Sequence, residues 1–360
     1  MIKAVKNTAV ILLTAAAVYY CIVYPENIGR AVKESVDRCL CVILPSMFIF
    51  LCITTFISQS GIHSLLGRPL RIISEKLLRL PVEGIAVFLL SMISGYPAGA
   101  KLVSENFSCG ILTARQAAAM NCFCCCAGPA FITGTAASFL YPDSNAGLLL
   151  FVCLAAGNIF TAAVMSKTLA AITDRTDSKP HINTGCIISS VKSASSAMLQ
   201  MCIMIAAFGG LCEILRLSGF IDALSYYTSG IFSLPQSTAE SIILTLLEIS
   251  NIITLPPMQP ELFPAAAFLL SFGGICVHMQ IAAIAQQNFS IRIFLAARIF
   301  SASISAAAAV FFMRFLNADI SCGATYKPIS ESSCSPLPSI LLLIMIAMLL
   351  SVFKDKKMKS

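Results

Sequence analysis

Hydrophobic and polar positions along this chain fall in long blocks rather than in a short alternation. Apolar runs near 8–24, 39–58, 113–140, 146–171, 191–216, 263–287, 291–316 and 338–353 have the scale of a spanning helix, about 20 residues for roughly 30 Å of hydrocarbon. The pattern predicts an all-α polytopic membrane protein with about eight crossings. Two amphipathic stretches, 61–80 and 219–234, predict helices lying on the membrane surface. Two further apolar stretches are interrupted: 82–107 at Ser94-Gly95-Tyr96-Pro97, and 237–262 at Ser250-Asn251 and Pro256-Pro257. An arm of about 12 residues reaches roughly 18 Å, which enters a bilayer without crossing it. Both stretches predict re-entrant hairpins, whose broken backbone is tolerable only where it is packed in protein or lines a cavity.

Composition narrows the class. Hydrophobic residues make up 58% of the 360 positions and charged ones 11%, against about 25% charged in soluble domains, so a soluble fold is excluded. The first apolar run follows Lys3 and Lys6, but Tyr19, Tyr20, Cys21 and Ile22 stand where a small-residue cleavage site would fall. An uncleaved first helix is expected. The 16 cysteines lie almost all inside apolar runs, which fits small packing residues rather than a disulfide framework. With no Trp, an interfacial belt must use Tyr and Phe.

Eight crossings put both termini on one side, and 18 of the 24 Lys and Arg, Arg298 among them, then fall on that side. Arg30, Lys33, Arg38, Arg216, Arg314 and Lys327 fall on the other. The positive-inside rule makes both termini cytoplasmic in a multi-pass cell-membrane protein.

The chain also repeats itself. Ser60-Gly61 matches Ser218-Gly219, Leu80-Pro81 matches Leu234-Pro235, and the Ala117 run matches the Ala265 run, at separations of 158, 154 and 148 positions. Each half reads span, surface helix, hairpin, broken span, span. Three crossings per half invert the second relative to the first, and such inverted repeats mark secondary transporters. The expected division is an N-terminal transmembrane helix and linker (1–38), a first repeat (39–171), a cytoplasmic loop (172–190), a second repeat (191–316), and a loop with the last helix and basic tail (317–360).

The breaks carry the candidate chemistry. Ser94, Gly95 and Tyr96 precede a half-helix that starts after Pro97, whose free N–H groups suit an anion, and Lys101 sits in its first turns. Asn121, Gly128 and Pro129 flank the first broken span, and Gly273 and Gly274, followed by His278 and Gln280, mark the second. In the second hairpin Glu248, Ser250 and Asn251 take the place of Met92, Ser94 and Gly95, and Glu248 is the candidate for a coupling H+ or Na+ or a partner for Lys101. Any single polar residue among these could instead bond between helices. Cys122, Cys124, Cys125 and Cys126 invite soft-metal binding, but the spacing of structural zinc sites is absent, so packing is expected and no metal or cofactor is assigned. No GxSxG, HExxH, P-loop or dinucleotide fingerprint occurs, so no catalytic residues and no enzyme activity are expected. The short tail Lys354 to Lys359 reads as a topology anchor, not a nucleic-acid arm.

Gly95 to Lys101, Gly128-Pro129-Ala130-Phe131-Ile132, Leu247-Glu248-Ile249-Ser250 and Phe272-Gly273-Gly274 with Gln280 together resemble the sporulation integral membrane proteins of the YlbJ type. These fall in the nucleoside-recognition, or Gate, group, which in turn resembles concentrative nucleoside transporters. The resemblance covers roughly residues 40 to 316. It implies an inverted-repeat transporter active in endospore formation, placed at the outer forespore membrane on the mother-cell side. The implied solute is dipicolinate, with Lys101 the first choice for its charge. Partners would be that solute, lipid and a coupling ion, with a homo-oligomer left open. The alternatives are a nucleoside or metal-ion transporter of the Gate group, and a non-transporting sporulation scaffold.

Overall fold

The structure is a computed structural model that describes residues 2–141, 144–169, 183–256, 262–285 and 289–315. The span expected at 338–353 and the basic tail lie outside these. Every regular element among the described residues is helical.

Helix α1 (Ile2–Val23) is followed by α2 (Pro25–Arg38), which Pro25 opens at a position where a missing N–H costs nothing. A π-helical turn, Cys39–Ile43, carries α2 straight into α3 (Leu44–Gln59). The span expected at 39–58 therefore starts at Pro25, and the expected linker is helix. Its sequence explains this: Glu26 in the first turn complements the helix dipole, and no proline follows Pro25 before α3.

Five helical runs are long and apolar enough to cross a membrane: Pro25–Gln59, Asn145–Ser166, Thr184–Leu217, Phe263–Ile284 and Ile291–Arg314. Val10–Val23 and Val82–Ser94 are shorter apolar helices. The chain is an all-α polytopic membrane protein. Helix α11 (Thr184–Leu217) starts seven residues before the expected span because Asn183 caps it, its side chain accepting from the Cys186 N–H at 2.8 Å.

The stretch 61–80 is not one surface helix. It is α4 (His63–Gly67), a 3₁₀ turn at Arg68–Leu70 and a π-turn at Ile73–Leu78, since Gly67 and Pro69 interrupt the pattern. The counterpart α12 (Phe220–Phe232) is a single helix that exposes Phe220, Tyr226, Tyr227, Ile231 and Phe232.

The two halves share turn conformations. Gly61 and Gly219 have φ of 74° and 72°, and Arg79 and Ser233, each just before Leu-Pro, have φ of 53° and 52°. No other non-glycine residue among those described has a positive φ. Matching local sequence has produced matching backbone.

The first hairpin is α5 (Val82–Ser94) and α6 (Ala98–Ser108), and the first broken span is α7 (Ala114–Phe123) followed by α8 (Pro129–Phe131), a π-turn and α9 (Ala137–Leu140). A capping box starts α7: Thr113 Oγ1 accepts from Gln116 N, and the Gln116 side chain accepts from Thr113 N at 2.9 Å. After α10 (Ser144–Ser166), the second half contributes α11, α12, α13 (Gln236–Leu247), a 3₁₀ segment at Ile249–Thr254, and the broken pair α14 (Phe263–Phe272) and α15 (Gly274–Ile284), then α16 (Ile291–Phe315). Helix α7 packs on α10 and α14 on α16, while α10 and α16 pack on each other. Gly157 permits that last contact, since a Cβ there would run into the Ser301 carbonyl and the Ser305 hydroxyl.

Candidate functional site

The breaks meet. Gly95, with φ of 77°, ends α5, and its backbone lies so close to Gly128 that a Cβ would sit 2.7 Å from Gly128 N. Tyr96 N donates to Cys126 O at 2.8 Å, fastening the first hairpin to the first broken span. The Tyr96 ring packs on Gly273, where a Cβ would be 3.4 Å away, and Gly274 sits against the Thr245 and Ile249 backbone. Three glycine-bearing breaks and the second hairpin thus converge, because only bare backbone allows so close an approach.

A small cavity of about 20 Å³, the space of roughly one water, lies at this meeting point. Tyr96, Gly128, Glu248, Ser250 and Gln280 line it, with apolar walls from Met47, Phe131, Met201 and Val277. Glu248 is buried; it accepts from Ser250 N at 3.0 Å and takes a short hydrogen bond from Ser250 Oγ. Gln280 Nε2 reaches Cys276 Sγ at 3.4 Å, while its buried Oε1 has no partner among the described residues.

Other expected residues are placed elsewhere. Ser94 spends its hydroxyl on Leu90 O within its own helix. Asn121 is buried, its Oδ1 without a partner among the described residues, but it does not line the cavity. Pro129 is half-buried at the start of α8. Lys101 does lie in the first turn of α6, yet its Nζ donates to Ser193 O on α11 at 2.5 Å. Glu105 accepts from the Ser193 hydroxyl at 3.2 Å. Of the two roles considered for Glu248, the pairing with Lys101 is not formed: Lys101 ties the first hairpin to α11.

Two arginines take the central positions instead. Arg38, counted in the sequence with the charges on the side opposite the termini, has a side chain only 15% exposed; its Nη1 donates to Asn251 Oδ1 at 2.7 Å and to Ser250 Oγ at 3.1 Å and lies 3.9 Å from Glu248. Arg298, counted with the cytoplasmic charges, is fully buried mid-helix. It donates from Nη1 to Asn158 Oδ1 at 2.9 Å and Cys122 O at 3.3 Å, and from Nη2 to Ser271 O. Cys122 and Ser271 stand in the last turns of α7 and α14. Each helix C-terminus carries about half a negative charge, so one guanidinium matches the two ends that the breaks create. His278 supports the same place, its Nε2 lying 2.8 Å from Phe272 O. A sequence cannot show this, since Arg298 and its partners are separated by up to 176 positions.

The four clustered cysteines divide their packing: Cys124 joins one apolar cluster and Cys122, Cys125 and Cys126 the other. No group of His, Cys, Asp or Glu able to hold a metal occurs among the described residues.

With this geometry in place, the chain is similar to sporulation integral membrane protein YlbJ of Bacillus subtilis (strain 168), 25% identical over 301 residues, which are 74% of this chain and 72% of that protein. No family model matches the chain. No solved structure matches it either. The hairpins and breaks bring a buried acid, an arginine and an amide oxygen without a partner among the described residues within a few contacts of each other.

Proposed function

We propose that the chain is a secondary-type transporter that moves a small anionic solute, dipicolinate by its likeness to the YlbJ type, during endospore formation. The observation that carries this is the convergence of a hairpin and a broken span from each half on one cavity lined by Tyr96, Gly128, Glu248, Ser250 and Gln280. A scaffold has no use for broken backbone and a buried acid at membrane depth, whereas a solute path does. The matching turns at Gly61 and Gly219 and at Arg79 and Ser233 support reading the halves as repeats, whose exchange of conformation would alternate access. The cavity has room for little more than a water, so on this reading it widens when a solute binds.

On this reading Glu248 serves the coupling ion, H+ or Na+, both termini face the cytoplasm, and the protein works in the outer forespore membrane. The test is uptake of labelled dipicolinate into liposomes carrying the purified chain, under imposed pH or sodium gradients, with uridine and ferrous iron in parallel. Saturable dipicolinate uptake is expected. Uptake of uridine or iron instead would move the assignment to the nucleoside or metal-ion alternatives, and no uptake of any would favour the scaffold.

A further inference from the structure

We propose that Arg38 is the anion-recognising residue of this site and that Glu248 is a built-in carboxylate that competes with the solute for it. The proposal rests on the transporter reading above and names the residue that would select the solute.

Three observations carry it. All of the hydrogen bonds Arg38 makes among the described residues leave from Nη1, toward Asn251 and Ser250. The Nε and Nη2 edge, the one shaped to take a carboxylate with two parallel bonds, is uncommitted. Glu248 stands 3.9 Å from Nη1, within reach of charge but beyond the roughly 2.7 to 2.9 Å of a charge-assisted hydrogen bond. Its oxygens are held instead by Ser250. The pair is therefore close enough to neutralise and too loose to satisfy the guanidinium.

The third observation is position. Arg38 is one contact removed from the cavity, through Glu248 and Ser250, which line it. Across the cavity Gln280 presents a buried amide whose Oε1 has no partner among the described residues. A planar carboxylate seated on the free edge of Arg38 would compete with Glu248 for its charge, while the other buried cation, Arg298, is already matched by the C-terminal ends of α7 and α14. As the solute binds, Glu248 loses its counter-charge and keeps only the Ser250 donors. Arg38 ends α2, just before the first repeat, and Ser250 and Asn251 belong to the second hairpin, so the exchange loosens a tie between α2 and that hairpin.

The experiment is binding of pyridine-2,6-dicarboxylate, with its neutral diamide as control, to the purified full-length chain, read as the ligand-dependent rise in unfolding temperature. The wild type is expected to respond to the dicarboxylate and not to the diamide. Arg38→Lys, which keeps the charge and loses the fork, is expected to bind at least about tenfold more weakly. Glu248→Gln, which removes the competitor, is expected to bind at least about tenfold more tightly, the scale of deleting one negative charge a few ångströms away in partly buried surroundings. Weaker binding by Glu248→Gln, or unchanged binding by Arg38→Lys, overturns the proposal while leaving the dicarboxylate reading intact. A wild type that ignores the dicarboxylate and takes up uridine or iron overturns both.

Discussion

Gly95 and Gly128 meet backbone to backbone, with Gly128 Cα only 3.1 Å from where a Cβ on Gly95 would stand. The two residues lie in different elements, the break of the first hairpin and the break of the first broken span, so their contact seals one wall of the cavity. A methyl at Gly128 would fall 2.9 Å from Ile93 O, which is backbone and cannot turn aside. Gly128→Ala is expected to destabilise by about 1 to 3 kcal/mol, seen as a lower unfolding temperature of the detergent-purified protein. Gly29→Ala, in α2 with nothing within 4 Å of the new methyl, should be neutral or gain up to about 1 kcal/mol. Equal effects at both positions would contradict the close-approach account.

Arg298 should be the costliest buried residue to remove. Arg298→Met leaves the last-turn carbonyls of α7 and α14 without this donor and Asn158 Oδ1 with Ser301 Oγ alone, and a loss of about 3 kcal/mol or more is expected from the buried acceptors left unsatisfied. Arg298→Lys should recover only part of it, since one ammonium cannot copy a fork that reaches three acceptors. Unfolding curves of the three proteins decide this, and a lysine variant as stable as wild type would show that charge alone suffices.

These two cases mark what was legible in the sequence. Gly95, Pro97, Gly128-Pro129 and Gly273-Gly274 stand out against apolar runs, so the hairpins and breaks could be located from residue type alone. Arg38 and Arg298 could not. The positive-inside rule counts each basic residue with one side of the membrane, and only the packing of α2 on α11 and of α10 on α16 turns both inward. Lys101 misled for the opposite reason. Its place in the first turn of α6 was as expected, but the side chain is long enough to reach Ser193 on α11 rather than the cavity.

Lys101→Ala is accordingly expected to leave dicarboxylate affinity within about threefold, because no bond to the cavity is lost, and to change the transport rate by releasing the first hairpin from α11. Parallel measurement of binding and of uptake separates the two effects. Loss of binding would return Lys101 to the solute site.

Ser233 holds a left-handed conformation, φ 52°, at the end of α12, a cost of roughly 1 to 2 kcal/mol for a residue with a Cβ. Ser233→Gly should be neutral or stabilising by up to about 1 kcal/mol, and Ser233→Val, whose branched side chain tolerates that region worse, should destabilise. Thermal unfolding of both variants checks the conformation that the two halves share at this turn.

Solute counterflow tests the central claim most directly, because it requires no knowledge of the coupling ion. Liposomes bearing the purified chain are loaded with unlabelled dipicolinate and diluted into a trace of the labelled compound. The account predicts transient accumulation of label above its equilibrium level, absent from protein-free liposomes. Label that never exceeds the protein-free level, with dipicolinate or with uridine, in a sample that is folded and inserted, would contradict transport through this site.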